Sequence, residues 1–259
     1  MTSTDLHVST AGHVATIEIR RPPLNFFDLD LIRRIADELD RIDADDNCRA
    51  VVLCADGKAF CAGANFNTSA QEATKDSKRR NSGELYVEAV RIFRNKKPIV
   101  AAVHGAAIGG GFGLAMSADF RVTCPEARFA ANFTRLGFHP GFGLTVTLPE
   151  VVGQTNAALM FYTSRRVTGE DAFKMGLASV LVSQDQVRAA ALKLASEIAE
   201  NAPLALVSTR ATMRAGLADR VKAATDHELD EQSWLRETAD FKEGVKATAE
   251  RRVPNFAGR

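Results

Sequence analysis

Apolar and polar positions change period several times along the chain, and each period predicts an element. In "HVATIEIRR" (13–21) Ala15, Ile17 and Ile19 alternate onto one face, which predicts a strand. In "DLDLIRRIADELDRID" (28–43) Leu29, Ile32, Ile35, Ala36, Leu39 and Ile42 recur at helical spacing. "RAVVLCA" (49–55) reads as a short buried strand, 56–81 as a polar loop, and 82–95 as a helix. "PIVAAV" (98–103) is a further strand, followed by a helix opened by glycines, and "FRVTC" (120–124) is a strand again. Strands alternating with helices predict an α/β fold. From about 141 the pattern is mainly helical, in "LPEVVGQTNAALMFYT", "GEDAFKMGL" and "DQVRAAALKLASEIAEN", with "ASVLV" (178–182) the one clear later strand. The pattern divides the chain into a core, 1–200, and a helical C-terminal region, 201–259. Helices after 203 carry Leu204, Leu206, Val207, Met213 and Leu217, apolar positions that need a surface on the core or on another subunit.

Composition narrows the function classes. The 259 residues are 46% hydrophobic and 25% charged, with a net charge of +1, as in an ordinary globular protein. No basic stretch is interleaved with aromatics, so nucleic acid is not an expected partner. "KDSKRR" (75–80) reads either as a solvated loop or as a patch for a phosphorylated ligand. No apolar run approaches 18 residues and "MTSTDLHVSTAGH" has no apolar signal core. The expectation is a cytoplasmic protein without a membrane partner. Cys48, Cys54, Cys61 and Cys124 lack CxxC spacing and are expected to be buried, reduced thiols, with no metal site.

Two glycine- and alanine-rich stretches carry the candidate chemistry. "GKAFCAGANF" (57–66) is a loop after a strand, and "HGAAIGGGFGLA" (104–115) is a loop entering a helix. Small residues let a ligand approach the backbone. A helix N-terminus offers unpaired N–H groups and partial positive charge to an oxygen that is, or is becoming, an anion. Helix–strand packing and a plain turn would also account for either stretch alone. "GGGFG" is out of register with GxGxxG, and no GxxxxGK[ST] loop occurs, so a nucleotide cofactor is not expected. Gly113 is left over, because glycine inside a helix costs about 0.5–1 kcal/mol relative to alanine.

Taken in order, "KAFCAGANF", "KKPIVAAVHGAAIGGGFGLAMSADFRV", "RFAANFTRLGFHPGFG" and "RVTGEDAFKMGLASVLV" resemble the enoyl-CoA hydratase/isomerase (crotonase) family over about residues 10–255. The resemblance implies a spiral of ββα units and a C-terminal helical trimerisation region. It also implies a homotrimer or dimer of trimers and a coenzyme A thioester as substrate, the coenzyme being part of the substrate and no separate cofactor. By motif position it implies that the N–H groups of Ala64 and Gly110 bind the thioester oxygen. Ala62, Asn65, Phe66, Gly109, Gly113 and Phe133 are then expected to line the substrate site.

Hydratases of the family carry glutamates where this chain has Gly113 and Phe133, and other branches an aspartate where it has Gly141. No Asp or Glu occurs in 105–118 or 127–149. His139, in "GFHPG", is the one histidine of 127–149, and Phe138, Pro140 and Phe142 predict apolar surroundings for it. His104 is read as a turn or packing residue, and Asp119 as an anchor of the strand that follows it. Three readings stay open: a hydratase/isomerase-family lyase or isomerase with altered chemistry, a thioester hydrolase or decarboxylase using His139 or a held water, and a catalytically silent acyl-CoA-binding subunit.

Overall fold

The structure is a computed structural model that describes residues 5–65 and 75–259, with side chains placed for 5–65 and 80–259. Strands β1 (Leu6–Ala11) and β2 (Val14–Ile19) form an antiparallel hairpin in which Ala11 faces Val14 across Gly12. β2 then pairs in parallel with β3 (Ala50–Ala55), and the sheet continues through β5 (Ile99–Val103), β7 (Phe120–Thr123) and β10 (Val180–Leu181). Every residue of β3 and β5 is buried. Parallel strands covered on both faces read as continuous apolar runs, as "AVVLCA" and "IVAAV" do.

A second sheet holds β4 (Ala59–Cys61), β6 (Ala106–Ile108), β8 (Arg128–Ala130) and β9 (Val167–Thr168). The chain alternates between the sheets. β3 enters the large sheet and β4 the small one, and helix α2 (Lys75–Arg94) follows; β5, β6 and α3 (Gly110–Ser117) repeat the unit, and β7 and β8 start it again. This is the spiral of ββα units. α1 (Leu29–Asp43) precedes it, capped by Asp28, whose carboxylate accepts from the Leu31 N–H at 2.9 Å.

Three differences from the pattern reading have physical causes. β1 is an edge strand, mostly exposed, and its alternation is too polar to register. β4, β6 and β8 have three residues each, too few to show a period. α2 starts at Lys75, inside the stretch read as loop, because its first turns are polar.

α4 (Leu144–Thr163) breaks at Gly153, whose backbone is not helical. α5 (Gly169–Lys174) leads back to the large sheet, and α6 (Val187–Ala199) covers its β3, β5 and β7. α7 (Pro203–Met213), α8 (Leu217–Leu235) and α9 (Ala239–Ala249) complete the chain. α7 is tied to the sheet by Asp119, which accepts from Ile99 N at 2.8 Å and from Arg210 and Arg214, each at 2.9 Å. α8 lies against α2 and α4, and α9 against the single turn Thr134–Leu136. That last packing is backbone to backbone: a Cβ on Gly244 would sit 2.6 Å from the Leu136 carbonyl oxygen. All four cysteines are free and buried. Among the described residues no helix is long and apolar enough to cross a membrane.

Candidate functional site

The N-terminus of α3 is built from backbone alone. Gly109 takes φ 56° and ψ −123°, which an L side chain would resist, and donates to Ala130 O at 2.8 Å. Its own carbonyl accepts from Phe112 N at 3.0 Å and Gly113 N at 3.1 Å, starting the helix. Gly110 and Gly111, the first two helical residues, have no helical carbonyl a turn back, so their N–H groups point out of the helix start. No side chain could be added here without collision. A Cβ on Gly110 would meet the Phe27 ring at 2.5 Å, and one on Gly111 would meet Cys61 O at 2.1 Å.

The loop after β4 is laid against this helix start. Gly63 adopts φ +83°, and a Cβ there would be 2.8 Å from Ile108 O and 3.5 Å from Gly110 N. Phe27 N donates to Gly63 O at 3.0 Å, Ala62 N donates to Leu24 O at 2.9 Å, and Phe27 forms a parallel bridge with Ala64. Gly63, Gly109 and Gly111 are buried, Gly110 is half-buried and Ala64 is exposed. Two backbone positions from distant parts of the sequence thus reach the surface side by side.

Aromatic rings fill the space around them. At Gly113 a Cβ would lie 2.5 Å from Cβ of Phe142, so Phe142 occupies the direction a side chain at 113 would take. Phe142 is buried with φ 62°, and its ring centroid is 5.7 Å from that of Phe27. The tip of the Phe133 ring comes to 3.8 Å of a Cβ on Gly109. Phe133 packs edge-on to Phe138 at 5.4 Å, and Phe138 to Phe241 of α9 at 5.4 Å.

Polar groups enter from α2 and α8. At Gly141 a Cβ would be 2.2 Å from the Tyr86 hydroxyl and 2.5 Å from Gln232 Nε2. Tyr86 donates to Gln232 Oε1 at 3.1 Å, and Gln232 Nε2 donates to the carbonyls of His139 (3.0 Å) and Pro140 (3.1 Å). Burial pushes the Tyr86 phenol up, so it is protonated at neutral pH. Glu228 accepts from Gly143 N at 2.9 Å and from the Thr145 hydroxyl at 2.6 Å, while burial pushes its carboxyl up. The half-buried His139 ring stands 5.8 Å from that of His227 and close enough to Glu228 to stabilise its charge. Its surroundings are therefore polar on the α8 side, not apolar throughout. Nδ1 lies 2.9 Å from Pro140 O; a carbonyl only accepts, so Nδ1 carries a proton.

Ala62, Ala64, Gly109 and Gly110 therefore meet at one place, with half-buried Asn65 next in the chain and Phe133 beside them, while His139 faces α8. Phe66 lies outside the described residues. Tyr86, Gln232 and Glu228 carried no local signal, because only the fold brings α2 and α8 to the 137–145 loop. Phe27 sits in "PPLNFFD", whose pattern predicts no element. His104 joins β5 to β6 with Nε2 3.0 Å from Gly57 O, in a turn.

The enoyl-CoA hydratase/isomerase family model matches residues 9–259. The chain is 32% identical over 250 residues to the crotonyl-CoA hydratase of Syntrophomonas wolfei, covering 94% of each protein. It is 30% identical over 262 residues to the carnitinyl-CoA dehydratase of Proteus mirabilis, covering 99% of this chain and all of that one. The crystal structure of an enoyl-CoA hydratase/isomerase from Pseudoalteromonas atlantica superposes with a TM-score of 0.87 at 31% identity, over 98% of this chain and 100% of the other. Length, fold and sequence agree over nearly every residue: the chain belongs to the enoyl-CoA hydratase/isomerase family and has its crotonase fold.

Proposed function

We propose that the protein acts on an acyl-CoA thioester, binding the carbonyl oxygen between the N–H groups of Ala64 and Gly110. The observation that carries this reading is the contact of the Gly63–Ala64 turn with the bare N-terminus of α3. Negative charge that develops on the oxygen meets two fixed donors and the positive end of a helix, and nothing needs to reorganise as it forms. Losing one such donor typically costs about 3 kcal/mol of transition-state stabilisation. The names of the two relatives, a crotonyl-CoA hydratase and a carnitinyl-CoA dehydratase, support a thioester substrate. Coenzyme A enters as part of that substrate, and no other cofactor is required.

Water addition needs a base and an acid at the double bond, each typically worth 10²–10⁴-fold in rate. The positions where hydratases of the family carry their glutamates are Gly113 and Phe133. Phe142 fills the first, and an aromatic ring replaces charge at the second. This favours a second reading beside altered lyase or isomerase chemistry: hydrolysis or decarboxylation of the thioester, driven by the oxyanion site with a held water or with Nε2 of His139. A third reading is a silent subunit that binds the thioester without turning it over. The helical segment 201–259 is proposed to build a homotrimer or a dimer of trimers.

Incubation with a panel of CoA thioesters, followed by mass spectrometry, separates the readings. Gain of water means hydration, free CoA hydrolysis, loss of carbon dioxide decarboxylation, a product of equal mass but different chromatographic retention isomerisation, and recovery of the unchanged thioester with tight binding a silent subunit. Crotonyl-CoA is expected to be hydrated very slowly or not at all. Turnover within the usual enzyme range of about 1–10³ per second would refute the assignment of Gly113 and Phe133.

A further inference from the structure

The buried stripe of α8 is polar where a packing helix is ordinarily apolar. Val221, Thr225, Glu228 and Gln232 recur at three- and four-residue spacing, and each is 1% exposed or less. Burying a carboxylate and an amide costs stability unless hydrogen bonds satisfy them. Here those bonds go mainly to the backbone of one segment, 139–145. Glu228 accepts from the N–H groups of Gly143 and Thr145, at 2.9 and 3.4 Å, and from the Thr145 hydroxyl at 2.6 Å. Gln232 donates to the carbonyls of His139 and Pro140 at 3.0 and 3.1 Å. Val221 lies against Gly143, where a Cβ would come to 2.7 Å of its Cγ1. From α2, the Tyr86 hydroxyl packs on Gly141 and donates to Gln232. The two helices thus hold the segment on both sides of Phe142.

Phe142, between these anchors, has a strained backbone. Its φ is 62°, a region that a bulky side chain rarely enters. Such residues persist where their surroundings fix them, and they gather at functional sites. What the anchors hold in place is a ring, buried at 1% exposure with its centroid 5.7 Å from that of Phe27. Phe27 in turn touches both proposed donor positions. Its ring lies 2.5 Å from a Cβ on Gly110, its backbone bridges Ala64, and its N–H donates to Gly63 O at 3.0 Å. A continuous path of packed groups runs from α8 through Phe142 and Phe27 to the two N–H groups. Spacing matters there, because a shift of about 1 Å takes one donor out of hydrogen-bond range of an oxygen that the other still holds.

We propose that Glu228 and Gln232 are positioning residues for the acyl carbonyl. By fixing Phe142 against Phe27, they hold the N–H groups of Ala64 and Gly110 at the spacing that one oxygen needs. They act through the two rings rather than by touching the thioester. This rests on the thioester reading above.

The test uses ketone analogues of CoA thioesters, which keep the carbonyl but have no bond to cleave. Each is paired with the same compound carrying a methylene in place of the carbonyl, and both are titrated by calorimetry. The intact protein is expected to bind the ketone about 5–100-fold more tightly, the range of two hydrogen bonds. Glu228→Gln and Gln232→Leu, each checked by thermal melt, should cut that preference by about 5-fold or more while binding the methylene compound as the parent does. A merely structural role would leave the ratio where it was. A preference unchanged in the folded variants, or equal weakening of both compounds, therefore overturns the proposal and leaves the thioester reading standing. If the intact protein binds both compounds equally, or neither, the oxyanion site and the proposal fall together. Phe142→Leu removes the ring contact without disturbing the buried carboxylate and carries the same expectation, so it decides the matter if the α8 variants fail to fold.

Discussion

A methyl group at position 113 would lie 2.5 Å from Cβ of Phe142. That atom cannot swing aside as a ring tip can, because it is fixed to a backbone already at φ 62°. Gly113→Ala is therefore expected to lose about 1–3 kcal/mol by overpacking, against the usual gain for removing a helical glycine, and Gly113→Glu to lose more. Denaturant unfolding of the variants checks this, and a Gly113→Ala protein as stable as the parent would contradict the packing account. The bare run 109–111 was legible as a helix start, since its glycines are consecutive and follow an apolar strand. The cause of Gly113 was not, because Phe142 comes from another loop and only the fold brings the two together. The same limit applies to His139: its sequence neighbours are apolar, but its spatial neighbours, His227 and Glu228, come from α8.

At the scale of elements, Glu18 joins β2 to α6. It is buried, and its carboxylate pairs with Arg188 of α6 and with Arg20 at 2.6 Å. Burial alone would raise its pKa, but the two guanidinium groups outweigh burial and hold it below the ordinary 4.5. As pH falls below 4.5 the unfolded chain takes up this proton before the folded one does. The stabilisation is thus present above that value and is lost as pH drops through the lower folded pKa. Glu18→Gln should melt lower than the parent at pH 7, and the gap should close in thermal melts carried below pH 4.5. A gap that stays constant with pH would show that the ion pairs contribute nothing specific. Elements with a strong period, such as α1 and the continuous apolar strands β3 and β5, could be read from sequence. The three-residue strands β4, β6 and β8 could not, although β4 and β6 deliver the two loops of the candidate site.

At the scale of the molecule, the C-terminal helices leave large apolar side chains in water. Leu204 is 85% exposed, Met213 82% and Trp234 57%. Exposed apolar surface on this scale marks association; the apolar positions after 203 were read in sequence as needing a surface on the core or on another subunit, and Leu217 packs against the core. Light scattering should report three or six times the 28.0 kDa chain mass, and a monomer at working concentration would contradict it. The claim on which the functional reading depends is the place of the carbonyl oxygen. A crystal structure with a bound acyl-CoA ketone analogue tests it directly. The account predicts that oxygen within hydrogen-bond range, about 2.7–3.2 Å, of the backbone nitrogens of both Ala64 and Gly110; an oxygen more than about 3.5 Å from both would contradict it.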